Sequence, residues 1–107
     1  MSDENLPPIH PGEFLADELR ALGLSARRFA EHIGVPHNAV SEIVAGRRSI
    51  SASMALRLGQ AFATGGQYWM SLQDLYDAKI AREALGDRLA AIVPLVPVGD
   101  GSQASAG

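Results

Sequence analysis

Apolar residues recur along this chain at helical spacing. Leu15, Leu19 and Leu22 fall on one face, the three- and four-residue interval of an amphipathic helix. Pro11 suits the first position of that helix, and Gly23 suits its end. A second helix is predicted from Ser25, a good N-cap, through Phe29, Ala30 and Ile33 to Gly34. A third begins near Pro36, turns Val40 and Ile43 inward and stops at Gly46. Ser51 or Ser53 caps a fourth, with Ala55, Leu58 and Phe62 on one side. Thr64-Gly65-Gly66 breaks the chain. A fifth runs from about Gln67 to Leu85, with Trp69, Leu72, Tyr76 and Ile80 in a single stripe. The pattern allows a short helical piece after Gly86, as far as Ile92. No β-hairpin signal and no internal repeat appear.

These elements predict an all-α fold of about five helices. Residues 1–10, with Pro7 and Pro8, read as a loose N-terminal arm, and 11–92 as the folded domain. From Pro94 the chain is rich in proline and small residues, so 93–107 reads as a flexible tail. Whether Leu95, Val96 and Val98 order on binding stays open at this stage.

The most informative stretch is Ser25–Gly46, SARRFAEHIGVPHNAVSEIVAG. Two short helices meet at a tight turn. If they cross steeply, the residue at the crossing must be small, which Ala30 satisfies. The turn then needs a left-handed residue, which Gly34 supplies. Phe29, Ile33, Val35, Val40 and Ile43 supply the apolar contacts. This is the spacing of a helix-turn-helix, whose later helix enters the DNA major groove. With Val40 and Ile43 taken by the core, the third helix should present His37, Asn38, Ser41 and Glu42. Asn38 can pair with adenine, His37 with a guanine acceptor or a phosphate, and Glu42 with cytosine N4. Ser41 can donate or accept, and Ala39 can touch a thymine methyl.

Charge changes the picture next. The 107 residues carry a net charge of −3, which looks wrong for a partner of DNA. The distribution differs from the mean. Residues 1–24 hold five acids against Arg20, a net −4; residues 25–62 hold five arginines against Glu31 and Glu42, a net +3; the remainder is net −2. A basic middle therefore lies between acidic flanks. Arg27 and Arg28 stand in the first turn of the second helix, where the macrodipole disfavours cations by about 0.3–1 kcal/mol each. A phosphate bound there would satisfy both arginines and the free N–H groups. Ser25, Arg27, Arg28, Arg47 and Arg48 are thus the expected phosphate contacts, with double-stranded DNA as the partner.

The segments HPGEFL (10–15), GLS (23–25), GVPHNAVSEIVAGRRSIS (34–51), MALRLGQAF (54–62) and YWMSLQDLYD (68–77) together resemble the HigA-type antitoxins of bacterial toxin–antitoxin modules, within the lambda-repressor-like helix-turn-helix class. The likeness covers about residues 9–82. It implies a lambda-repressor-like bundle that neutralises a small ribosome-dependent mRNA-cleaving toxin and represses its own operon as a dimer. Two departures bear on base preference: Ala39 stands where the family often has arginine, and Ser41 where asparagine is common. The alternative is a stand-alone transcriptional regulator with no toxin.

A basic toxin would suit the acidic start of the chain, so Asp3, Glu4, Glu13, Asp17 and Glu18 are the expected docking residues. A homodimer would suit the large side chains of the fifth helix. Trp69 and Tyr76 fit the core stripe, but such residues also favour interfaces. Tyr68, Trp69, Met70, Leu75 and Tyr76 form the expected dimerisation set. No enzyme is expected: there is no GxSxG elbow, no glycine-rich phosphate loop and no cysteine. His10, His32 and His37 are spaced wrongly for metal ligands on one helical face, so no metal or cofactor is expected. No signal peptide and no membrane span are visible, and a cytoplasmic protein is the expectation.

Overall fold

The computed structural model describes residues 7–97. Six helices follow in order: α1 (Pro11–Leu22), α2 (Ala26–Ile33), α3 (His37–Val44), α4 (Ala52–Phe62), α5 (Gly66–Leu85) and α6 (Asp87–Ala90). There is no strand among the described residues. The boundaries follow the caps. Ser25 and Ser51 accept hydrogen bonds from the N–H groups of Arg28 and Met54, both at 3.1 Å. Ser51, not Ser53, therefore starts α4.

The first cap is one that hydrophobic periodicity does not announce. His10 precedes α1 in extended conformation, and its Nδ1 accepts from the Gly12 N–H at 2.8 Å. Its ring also meets the Tyr76 ring edge-on, with centroids 4.9 Å apart. The arm expected over residues 1–10 therefore ends in an anchored residue. Gly12 has its own reason. A Cβ there would run into the backbone carbonyl of Ile43, so α1 lies directly against the main chain of α3.

The core is built from Leu15, Phe29, Ala30, Val40, Ile43, Ala55, Leu58 and Trp69, each no more than 1% exposed. Phe29 stacks on Phe62 at 5.1 Å, and Phe62 tilts against Trp69 at 5.7 Å. The buried indole is satisfied, because its Nε1 donates to Thr64 Oγ1 at 3.0 Å. Thus α4 and α5 close the bundle, with α4 passing the end of α2 so that Arg57 reaches the Ile33 carbonyl. The stripe Trp69, Leu72, Tyr76 and Ile80 begins fully buried and ends 40% exposed at Ile80. From Ala81 to Pro97 every residue is exposed.

One polar side chain belongs to this core. Gln73 is 5% exposed. Its Oε1 accepts from the Ile50 N–H at 2.7 Å, and its Nε2 donates to Asp77 Oδ1 at 2.9 Å. It fastens the α3–α4 connection, which carries Arg47 and Arg48, to the middle of α5. Gln73→Leu keeps the volume but leaves the Ile50 amide without a partner. We expect a loss of about 1–3 kcal/mol, read as a lower urea midpoint at unchanged m-value. Gln73→Glu keeps the acceptor but sets a buried carboxylate against Asp77, so it should lose at least as much.

Candidate nucleic-acid interface

The geometry of the turn between α2 and α3 follows from two small residues. Ala30 is fully buried where the helices cross. Gly34 adopts φ 76° and ψ 38°, and the N–H of Val35 returns to the Ala30 carbonyl at 3.0 Å. This closes α2 and redirects the chain within three residues. Pro36, extended at φ −61° and ψ 145°, leads into α3. The inner face of α3 is then held: Val40 and Ile43 are fully buried.

The outer face is left free, with one correction. His37 and Asn38 are exposed, and Ser41 and Glu42 are half-buried. Ala39, expected among the base-reading residues, is only 6% exposed and packs with the core. Its small size serves the helix contact and leaves no methyl surface for a base. Ser41 is partly committed, since its hydroxyl donates to the Asn38 carbonyl at 3.3 Å. Its lone pairs remain open as acceptors.

Arg27, Arg28, Arg47 and Arg48 are all exposed, and Arg28 lines a cleft with Leu22, Leu24, His32 and Ala61. Ser25 uses its oxygen to cap α2, which leaves its proton for an external acceptor. Arg48 is not independent of α3: its Nε and Nη2 both donate to Glu42 Oε1, at 2.9 and 2.7 Å. Glu42 was expected to accept from cytosine, but that oxygen already serves a guanidinium. Arg57, which periodicity does not mark, donates through Nη1 to the Ile33 carbonyl. It places a cation at the C-terminal end of α2, where the macrodipole favours one. Only knowledge that α4 passes that helix end would have revealed this role.

The other expected residues scatter. On α1, Glu13, Asp17 and Glu18 are exposed. Glu13, Asp17 and Arg20 share a face by their spacing, and Arg20 pairs with Asp17 at 2.6 Å. Glu18 lies about 100° round the helix from Asp17. The acidic surface is therefore interrupted by a cation. Asp3 and Glu4 lie outside the described residues. Of the expected dimerisation set, Trp69 is corrected: it is fully buried, packed on Phe62 and bonded through its indole N–H to Thr64, so it has no surface left for a partner subunit. Tyr76 is half-buried beneath His10, and Met70 is packed partly against the core. Tyr68 and Leu75 are 43% and 69% exposed. Among the described residues no group of three or more His, Asp or Glu side chains is placed to hold a metal ion. No described helix is long and apolar enough to cross a membrane.

Comparison with known proteins bears on this geometry. A family described as helix-turn-helix matches residues 15–69. Virulence-associated protein I of Dichelobacter nodosus is 42% identical over 79 residues, 73% of each chain. Among solved structures, an addiction module antidote protein of the HigA family from Coxiella burnetii superposes with a TM-score of 0.80 at 44% identity, covering 83% of this chain and 99% of that one. The Pseudomonas aeruginosa antitoxin HigA, solved with the higBA promoter, gives a TM-score of 0.79 at 43% identity, with 83% and 99% covered.

The corner itself can be tested. Gly34→Ala places a side chain in the left-handed region, and we expect a loss of about 1–2 kcal/mol. Gly34→Asn, which tolerates that region better, should lose less. Urea denaturation of the two variants beside the parent reads the difference.

Proposed function

This chain belongs to the HigA family of helix-turn-helix antitoxins, and on that footing we propose that it binds its own operator as a homodimer, represses its operon and neutralises a small basic mRNA-cleaving toxin. The observation that carries the reading is the clamped α3 with His37 and Asn38 exposed at its start. A helix held by its inner face offers side chains from a fixed backbone to a groove. Asn38 has the amide geometry for adenine, His37 a donor for guanine or phosphate, and Ser41 a spare acceptor. Ser25, Arg27, Arg28 and Arg47, all exposed, would fix the register on phosphates without reading sequence. The relative from Pseudomonas aeruginosa, solved with a promoter, supports DNA as the partner.

A dimer would present two copies of α3 to half-sites about 34 Å apart. Tyr68 and Leu75, seven residues apart on the outer side of α5, support a contact there. Ile80, Leu85, Leu89 and Ile92, exposed at 39–68%, extend the apolar surface beyond them. The toxin would take the acidic side of α1 through Glu13, Asp17 and Glu18, with Asp3 and Glu4 before it. Opposite charges on the two proteins would speed their encounter. DNA and toxin would then engage different parts of one chain.

The DNA reading predicts a linear fall of log affinity with log salt. Arg27→Ala, Arg28→Ala and Arg47→Ala should each reduce the slope by about one, in fluorescence titrations of the operon's upstream DNA. Asn38→Ala should instead cost about 1–3 kcal/mol at a single base position. A slope unchanged in all three arginine variants removes this face from the DNA.

The toxin reading predicts that the joint change Asp17→Lys and Glu18→Lys slows association with the protein encoded beside this chain, by about tenfold or more at low salt, in surface plasmon resonance. Unaltered association moves the docking surface elsewhere. A neighbouring gene product with no effect on mRNA would leave a stand-alone regulator.

A further inference from the structure

Glu42 is an unexpected residue on a surface proposed to face a polyanion. A carboxylate there repels phosphate whatever the base sequence. It is also not a core stabiliser: the Glu42 and Arg48 side chains are 35% and 45% exposed, and exposed ion pairs contribute little to folding. The geometry of the pair is more specific than its charge. Arg48 gives Glu42 one edge of its fork, Nε and Nη2, both to the same oxygen. Three of the five guanidinium hydrogens remain: two lie side by side on the terminal edge, one each on Nη1 and Nη2, and the third, on Nη1, points back toward Cδ. That edge makes paired contacts with two adjacent acceptors.

The backbone beneath is equally constrained. The Arg47 N–H returns to the Glu42 carbonyl at 2.8 Å, and the Gly46 N–H to the Ile43 carbonyl at 3.0 Å. Two residues after Arg48, the Ile50 amide is held by Gln73. A long, flexible side chain thus leaves a fixed turn and is oriented by a carboxylate on the recognition helix itself.

We propose that Glu42 is a positioning residue, and that it aims the free Nη1/Nη2 edge of Arg48 at a guanine, making Arg48 a specificity determinant of operator binding. This rests on the DNA reading above. It gives Arg48 a base rather than the phosphate expected from sequence, and it gives Glu42 no base at all. Guanine O6/N7 and a pair of phosphate oxygens offer similar acceptor geometry, and the experiment separates them.

The probes are a duplex enriched by the full-length protein from a randomised library and a duplex of the same bases scrambled. Electrostatics alone predicts that Glu42→Ala binds both more tightly. Positioning predicts a loss of about tenfold on the enriched duplex, the scale of one base contact, with no loss on the scrambled one. Repeating the enrichment with Glu42→Ala and with Arg48→Ala should relax the same guanine in both. The double variant should bind no worse than Arg48→Ala alone, and Glu42→Gln, which keeps an acceptor oxygen, should recover part of the loss. The proposal is overturned if Glu42→Ala tightens both duplexes alike or changes neither. It is also overturned if Arg48→Ala weakens both equally with a shallower salt slope, the mark of a phosphate contact. If the parent protein enriches no sequence, operator recognition itself fails and the proposal goes with it.

Discussion

The structure depends on how completely α3 is gripped from behind. Val40 and Ile43 are fully buried, Ala39 nearly so, and the main chain of α1 at Gly12 lies directly against the Ile43 carbonyl. An eight-residue helix is too short to be stable alone in water, so its order comes from this packing. The same packing decides what is left over. His37 and Asn38 are outside because the inward positions are filled, and their backbone is held in place because those positions are buried.

Polar groups extend that grip beyond the apolar core. Gln73 ties the chain after α3 to α5, Arg57 covers the end of α2, and His10 caps α1 while resting on Tyr76. Each supplies a partner to a backbone group that a helix end or a turn leaves open, which helices cannot do for themselves. The motif segments HPGE and WxxLQxxYD gain a physical meaning here. The first holds the cap, the N1 proline and the glycine that admits α3. The second holds the central indole, the bridging amide, the aspartate that orients it and the tyrosine beneath His10.

Charge is arranged around this scaffold rather than used to build it. Arg20–Asp17 and Arg48–Glu42 are both surface pairs, and neither holds two elements of the core together. Their interest lies in what they do to neighbouring charges. Arg20 divides the acids of α1, while Glu42 takes two of the five donors of Arg48. The net charge of the middle segment is therefore a poor count of its free cations, since Arg48 and Arg57 already have partners.

Much of this was legible from residue order. Helical periodicity, serine caps and glycine stops located the first five helices and the turn, because those signals act between near neighbours. Ala30 and Gly34 announced the corner, because a steep crossing admits few residue types. Other roles required the assembled fold. A small residue such as Ala39 suits a thymine methyl or a helix contact equally, and the fold puts its methyl in the core. Trp69 resembled both core and interface, and only the closing of α4 on α5 decided between them. Gln73, Arg57 and the Glu42–Arg48 pair connect atoms that are distant along the chain or separated by a turn. Spacing on a single helix carries no information about such partners. What local sequence determined was which segments coil and where they stop; what the tertiary structure decided was which polar atoms find one another, because that depends on where separate helices pass.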